Sequence, residues 1–143
     1  MAGTMVFARD AGTDGIGNHS NILQLQVSWT SDASGNATGT SPKIVGRIIK
    51  ATVVPGTGGS APTNSYSIVI TDGNSINVLA NVQSTLASNS GSSNAETYFL
   101  VKDAAGTPLA QSIHPVVCDL LTFTIASSGN TKSGTINLYY EPI

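Results

Sequence analysis

The sequence predicts an all-β domain, an antiparallel β-sandwich or jelly-roll-like barrel of about seven or eight strands with an extended N-terminal arm. Three observations predict it. Apolar and polar residues alternate with a period of two in several short runs, as they do on a strand with one buried face. Each run ends in a cluster of Gly, Asn, Asp, Ser or Pro, the residues that turn a chain. Helical periodicity is weak throughout.

Residues 1–21 hold four glycines, two of them in Gly15-Ile16-Gly17, with Asp10, Asp14 and Asn18. They read as a flexible arm preceding a single domain over 22–143. Leu23, Leu25, Val27 and Trp29 alternate with Gln24, Gln26, Ser28 and Thr30, the cleanest strand pattern in the chain. Ser31 to Asn36 is a turn, and 37–40 returns as a short paired strand. From Ile44 to Val54 the periodicity is ambiguous, because Ile44, Val45, Ile48 and Ile49 also fit one helix face. Seven of the eleven residues are β-branched and Gly46 interrupts the run, so a strand is expected. The loop 55–64 carries three glycines and two prolines.

The chain is organised around SYSIVITDGNSINVLA, residues 65–80. Tyr66, Ile68 and Ile70 alternate with Ser65, Ser67, Val69 and Thr71; Asp72-Gly73-Asn74-Ser75 turns the chain, and Ile76, Val78 and Leu79 resume an apolar run. Residues 81–95 are rich in Ser and Asn, with weak helical potential at 82–86. TYFLVK at 97–102 reads as a strand and 103–108 as a turn. Val116 to Ala126 reads as one strand opened by Pro115, with Leu121, Phe123 and Ile125 on one face. After a connection at 127–134, residues 135–140 close the fold with Ile136, Leu138 and Tyr140 inward.

Composition limits what such a domain does. Charged residues make up 10% of the chain, six Lys and Arg against eight Asp and Glu, for a net charge of −2. An ordinary soluble domain has about 25%. A surface of Ser, Thr, Asn, Gln and Gly binds phosphate backbones poorly, so no nucleic-acid partner is expected. No segment reaches the roughly 18 apolar residues of a membrane helix, and Met5 to Ala8 is too short for a signal-peptide core, so no membrane partner and synthesis in the cytoplasm are expected. The single cysteine, Cys118, excludes an internal disulfide and reads as a small buried hydrophobe within VVCDL.

Groupings that carry chemistry are missing, so no catalytic, cofactor-binding or metal site, no cofactor and no enzymatic activity are expected. His19 and His114 are the only histidines, and no serine sits in a nucleophile elbow. Asp72-Gly73-Asn74 lacks the later acidic ligand of a calcium loop. Asp72, Glu96, Asp103 and Asp119 stand singly and read as solvated carboxylates. Gly15-Ile16-Gly17 and Gly56-Thr57-Gly58-Gly59 lack the setting of a phosphate loop. Lys43, Arg47 and Lys50 form the local basic group; on a regular strand Lys43 and Arg47 share a face that Lys50 does not, which suits a solvated edge or an intersubunit ion pair. Asn18-His19-Ser20 and Asn36-Ala37-Thr38 match the glycosylation pattern, as chance allows in a chain rich in these residues. Trp29, Tyr66, Tyr98, Tyr139 and Tyr140 offer rings for sugar stacking, although Trp29 falls on a face expected to be buried.

VSWTSDASGNATGT, KIVGRIIKATVVPGTGGSAPTNSYSIVITDGNSINVLANV and SGNTKSGTINLYY, taken in order over residues 23–143, resemble small β-rich virion proteins of tailed bacteriophages, the capsid decoration or cement proteins. The arm 1–21 lies outside the resemblance. The resemblance implies a non-enzymatic virion protein on the capsid surface, a homo-oligomer whose partners are the major capsid protein and further copies of itself. A tail or head-fibre protein, or a carbohydrate-binding module, are the alternatives.

Overall fold

The computed structural model describes residues 2–9, 22–63, 65–78, 95–98 and 116–143, with 95–98 as backbone alone. The strands are β1 (Thr4–Arg9), β2 (Leu23–Thr30), β3 (Ala37–Thr40), β4 (Ile44–Pro55), β5 (Ser67–Thr71), β6 (Ala95–Tyr98), β7 (Val116–Asp119), β8 (Thr122–Ala126) and β9 (Ser133–Pro142). One antiparallel sheet runs β1-β2-β9-β4-β6 with β7 also on β4, and a second runs β3-β8-β5. β6 lies along 50–53 of β4 and β7 along 44–47, on the edge of β4 opposite β9. They are two segments of one edge position, so the fold is a β-sandwich of five and three strand positions.

The core follows the alternation. Leu25, Val27 and Trp29 of β2, Ile136, Leu138 and Tyr140 of β9, Ile68 and Ile70 of β5 and Phe123 and Ile125 of β8 are all buried. Each such side chain contributes about 1.5–3 kcal/mol, offset by chain entropy. Gly134, opposite Trp29 in the β2–β9 register, leaves room for the indole; a Cβ there would lie 2.9 Å from Trp29 Cζ2. Tyr66 packs beside the indole with ring centroids 6.1 Å apart.

Burial pushes the Tyr66 phenol from 10.0 up to about 12. The unfolded chain releases that proton first, so the neutral phenol's contribution to stability is complete below pH 10 and is lost as pH climbs to 12. Tyr66→Phe is therefore expected to flatten the fall of the urea midpoint between about pH 10 and pH 12. Parallel slopes in parent and variant would contradict this.

β4 resolves the ambiguous periodicity. Ile48 pairs with Tyr140 and Lys50 with Tyr139, so Ile49 is the extra residue of a β-bulge. Ile44, Gly46 and Ile48 face inward before it; Ala51, Val53 and Pro55 face inward after it. The change of parity leaves Ile44, Ile48 and Ala51 at spacings of four and three, which imitates a helix face.

Two chain segments cross between the sheets side by side, β3 into β4 and β7 into β8. The expected single strand 116–126 is thus two strands in different sheets, broken at Leu120-Leu121. The break is held by side chains that compete for backbone groups. Ser41 N–H donates to Leu121 O at 2.9 Å, and Leu121 N–H donates to the buried Ser41 Oγ at 3.1 Å. Asp119 accepts from Leu120 N–H at 2.8 Å and from Gly73 N–H at 2.9 Å, which ties the 72–76 turn to the crossing. β3 likewise pairs with β8 and not with the preceding strand.

At the opposite pole three loops are stitched together. Ser31 Oγ donates to Gly129 O at 2.6 Å, Ser128 Oγ to Gly35 O at 2.9 Å, Thr63 Oγ1 to Ser127 O at 2.7 Å and Lys132 Nζ to Gly59 O at 2.8 Å. Asp32 Oδ1 accepts from Ser34 and Asn36 N–H, as the turn expectation requires. Of the expected loop 55–64, Pro55 closes β4, and Gly58–Ser60 forms a 3-10 turn. The hairpin turn is present too: Asp72 Oδ1 accepts from Asn74 and Ile76 N–H, and Asn77 bridges back to Thr71.

The expected arm is partly strand. Thr4–Arg9 pairs in full with β2, Thr4 opposite Thr30 through Arg9 opposite Leu25. The continuous apolar run Met5-Val6-Phe7-Ala8 concealed the alternation: Met5 and Phe7 pack on the core while Val6 is exposed. Phe7 meets Phe123 edge-on, centroids 5.6 Å apart. Residues 10–21, Leu79, the potential helix at 82–86, the strand residues 99–102, the turn 103–108 and Pro115 lie outside the described residues.

Candidate interaction surface

Among the described residues the chemistry-bearing side chains are scattered and mostly occupied. His19, His114 and Asp103 lie outside the described residues, as do the side chains of Glu96 and Tyr98. Asp72 and Asp119, expected as solvated carboxylates, accept backbone N–H bonds at the turn and the crossing. A calcium-loop geometry at Asp72 is replaced by an Asx turn, the short side chain capping its own backbone. Among the described residues no group of three or more His, Cys, Asp or Glu could hold a metal, and no helix is long and apolar enough to cross a membrane.

Cys118 is exposed, which corrects the expectation of a buried thiol. On β7 it is Val117 that enters the core, 4% exposed, while Val116 on the other parity is 65% exposed. An unbroken apolar run does not show which parity a strand buries, and the short β7 sets it by pairing Val117 with inward-facing Gly46.

The basic group is also rearranged. Arg47 pairs with Glu141 of the same chain at 2.7 Å, across the β4–β9 ladder, where an intersubunit pair was one expectation. Both side chains are substantially exposed, so the pair contributes less than about 1 kcal/mol. The bulge brings Lys50 to the outer face beside Arg47, contrary to the regular-strand expectation, and its Nζ stands 5.0 Å from the Tyr139 ring centroid.

Beside these charges, the β2 and β9 rows of the outer face present a field of uncharged hydrogen-bonding groups. Gln24, Gln26, Ser28 and Thr30 of β2 stand beside Thr135, Asn137 and Tyr139 of β9. Gln24 Nε2 donates to Asn137 Oδ1 at 2.9 Å, and Asn137 Nδ2 donates to Thr52 Oγ1 at 3.2 Å, a side-chain run over three strands. At the stitched pole this face dips into an open groove of about 370 Å³ lined by Thr4, Val6, Ser28, Thr30, Val54 and Thr135 among others. The sequence carried a signal for the face in the polar parity of 24–30; the partners 113 and 85 positions apart carried none.

Of the five rings considered for sugar stacking, Trp29, Tyr66 and Tyr140 are in the core. Tyr139 is half-buried beside Lys50. Compared with protein-family models, curated proteins and solved structures, the chain finds no match.

Proposed function

We propose that this chain is a non-enzymatic structural subunit of a virus particle, a head decoration protein that binds the major capsid protein and further copies of itself. The observation that carries the reading is the uncharged polar rows of β2 and β9 on the outer face of the larger sheet, with the Gln24–Asn137–Thr52 run. Such a face adheres through many weak hydrogen bonds, and repetition on a symmetric shell multiplies them without a strong single site. Few charges leave that adhesion nearly insensitive to salt, because there is little Coulomb attraction to screen. The sandwich and the resemblance over 23–143 agree with this use. A sugar-binding reading draws less support, since three of its rings are buried.

The test is a density map of the virion together with a binding assay on heads stripped of this chain. The expected result is one copy at each of a symmetric set of surface positions, and re-binding that changes less than about twofold between 0.1 and 1 M salt. A head without the chain, or binding abolished by salt, would overturn the proposal.

A further inference from the structure

We propose that β1 is an exchange strand: in assemblies, Thr4–Arg9 of one copy occupies the seat beside β2 of a neighbouring copy. The inference deepens the self-binding part of the function proposed above and rests on it. The seat is closely fitted. A Cβ on Gly39 of β3 would stand 2.9 Å from Met5 Cβ, and one on Gly3 would collide with Asn36 O. Phe7 stacks edge-on against Phe123, Arg9 Nη2 donates to Lys43 O at 2.6 Å, and every residue of β1 has a partner on β2. A second copy's β1 would reproduce all of these contacts, so exchange costs none of them.

The length of the connection permits the reach. Neighbouring antiparallel strands need about two to five linking residues, yet β1 and β2 are joined by residues 10–22, which include Gly12, Gly15 and Gly17. A chain of that length spans at most about 45 Å, comparable with the breadth of a domain whose radius of gyration is about 15 Å. An isolated chain keeps its own β1, the closed form. The closed form is favoured until neighbouring seats exceed the strand's own effective concentration, of millimolar order. A packed shell passes that density.

The test uses the full chain with Cys118→Ser, the exposed thiol removed, and the opposed outward pair Val6→Cys and Ser28→Cys. Oxidation at about 10 μM is expected to close the disulfide within one chain, and oxidation well above 1 mM to give disulfide-linked dimers and larger species. Cross-links confined to single chains at every concentration would overturn the proposal. Light scattering on the parent separates the two readings: self-association with only intrachain cross-links removes strand exchange and leaves self-binding standing. Should the engineered disulfide not form, a mixture of ¹³C-labelled and unlabelled parent chains decides. An intermolecular NOE between the Phe7 and Phe123 rings supports exchange, and its absence from associated chains overturns it.

Discussion

Replacing Trp29 with alanine is expected to destabilise the fold by about 3–5 kcal/mol, lowering the melting temperature by roughly 10–17 °C. The indole is 2% exposed, lies across Gly134 of β9 and packs against Tyr66 of the facing layer. Its loss leaves a cavity beside Gly134, where no side chain stands to fill it. Trp29→Phe separates packing from polarity. It keeps an aromatic ring in place and removes Nε1–H, which is buried without an acceptor among the described residues. A buried unpaired donor costs about 1–3 kcal/mol, so the phenylalanine variant is expected to lose less than half of what alanine loses. Thermal unfolding followed by far-ultraviolet circular dichroism checks both, and equal losses would show that the indole N–H is not a cost.

Gly46 is the second position where a single change should be severe. Its inward side is closed by the neighbouring strand: a Cβ would stand 2.5 Å from the Glu141 carbonyl oxygen and 3.0 Å from Tyr140 Cδ2. That oxygen is main chain and cannot swing aside as a flexible side chain would. Gly46→Ala is expected to cost about 2–3 kcal/mol and Gly46→Val more, both read as a lower urea midpoint at unchanged slope. Gly59→Ala is the control, since nothing lies within 4 Å of the added carbon, and it should change stability by no more than about 0.5 kcal/mol. A Gly46→Ala protein as stable as its parent would mean that β4 and β9 do not approach so closely.

These two residues show where the sequence could be read and where it could not. Trp29 sits in a run of strict alternation, so its burial, like that of Leu25, Val27, Ile68, Ile70, Phe123 and Ile125, was legible from parity alone. Gly46 looked like an interruption; its reason lies almost a hundred residues away in the backbone of β9, and no local pattern encodes that approach. The bulge at Ile49 was hidden for a related reason, because a parity change inside a strand and a helical period place apolar residues at the same spacings. The β7–β8 break was invisible because the Ser41 and Asp119 bonds that hold it depend on partners brought together by the fold. β1 and Cys118 share a further cause: in MVFA and VVC every residue is apolar, so composition is silent about which side faces water. The outer polar face was half legible, its β2 row visible and its cross-strand bonds not.

The divided edge beside β4 has a consequence for how this protein can change. β6 ends opposite Lys50 and β7 begins opposite Arg47, with the bulge between them. Each segment holds four pairs of its own on β4, so neither register depends on the other. Lengthening a connection adds only about 0.6 kcal/mol of closure entropy per doubling. A longer link between β6 and β7 is therefore expected to leave both registers in place.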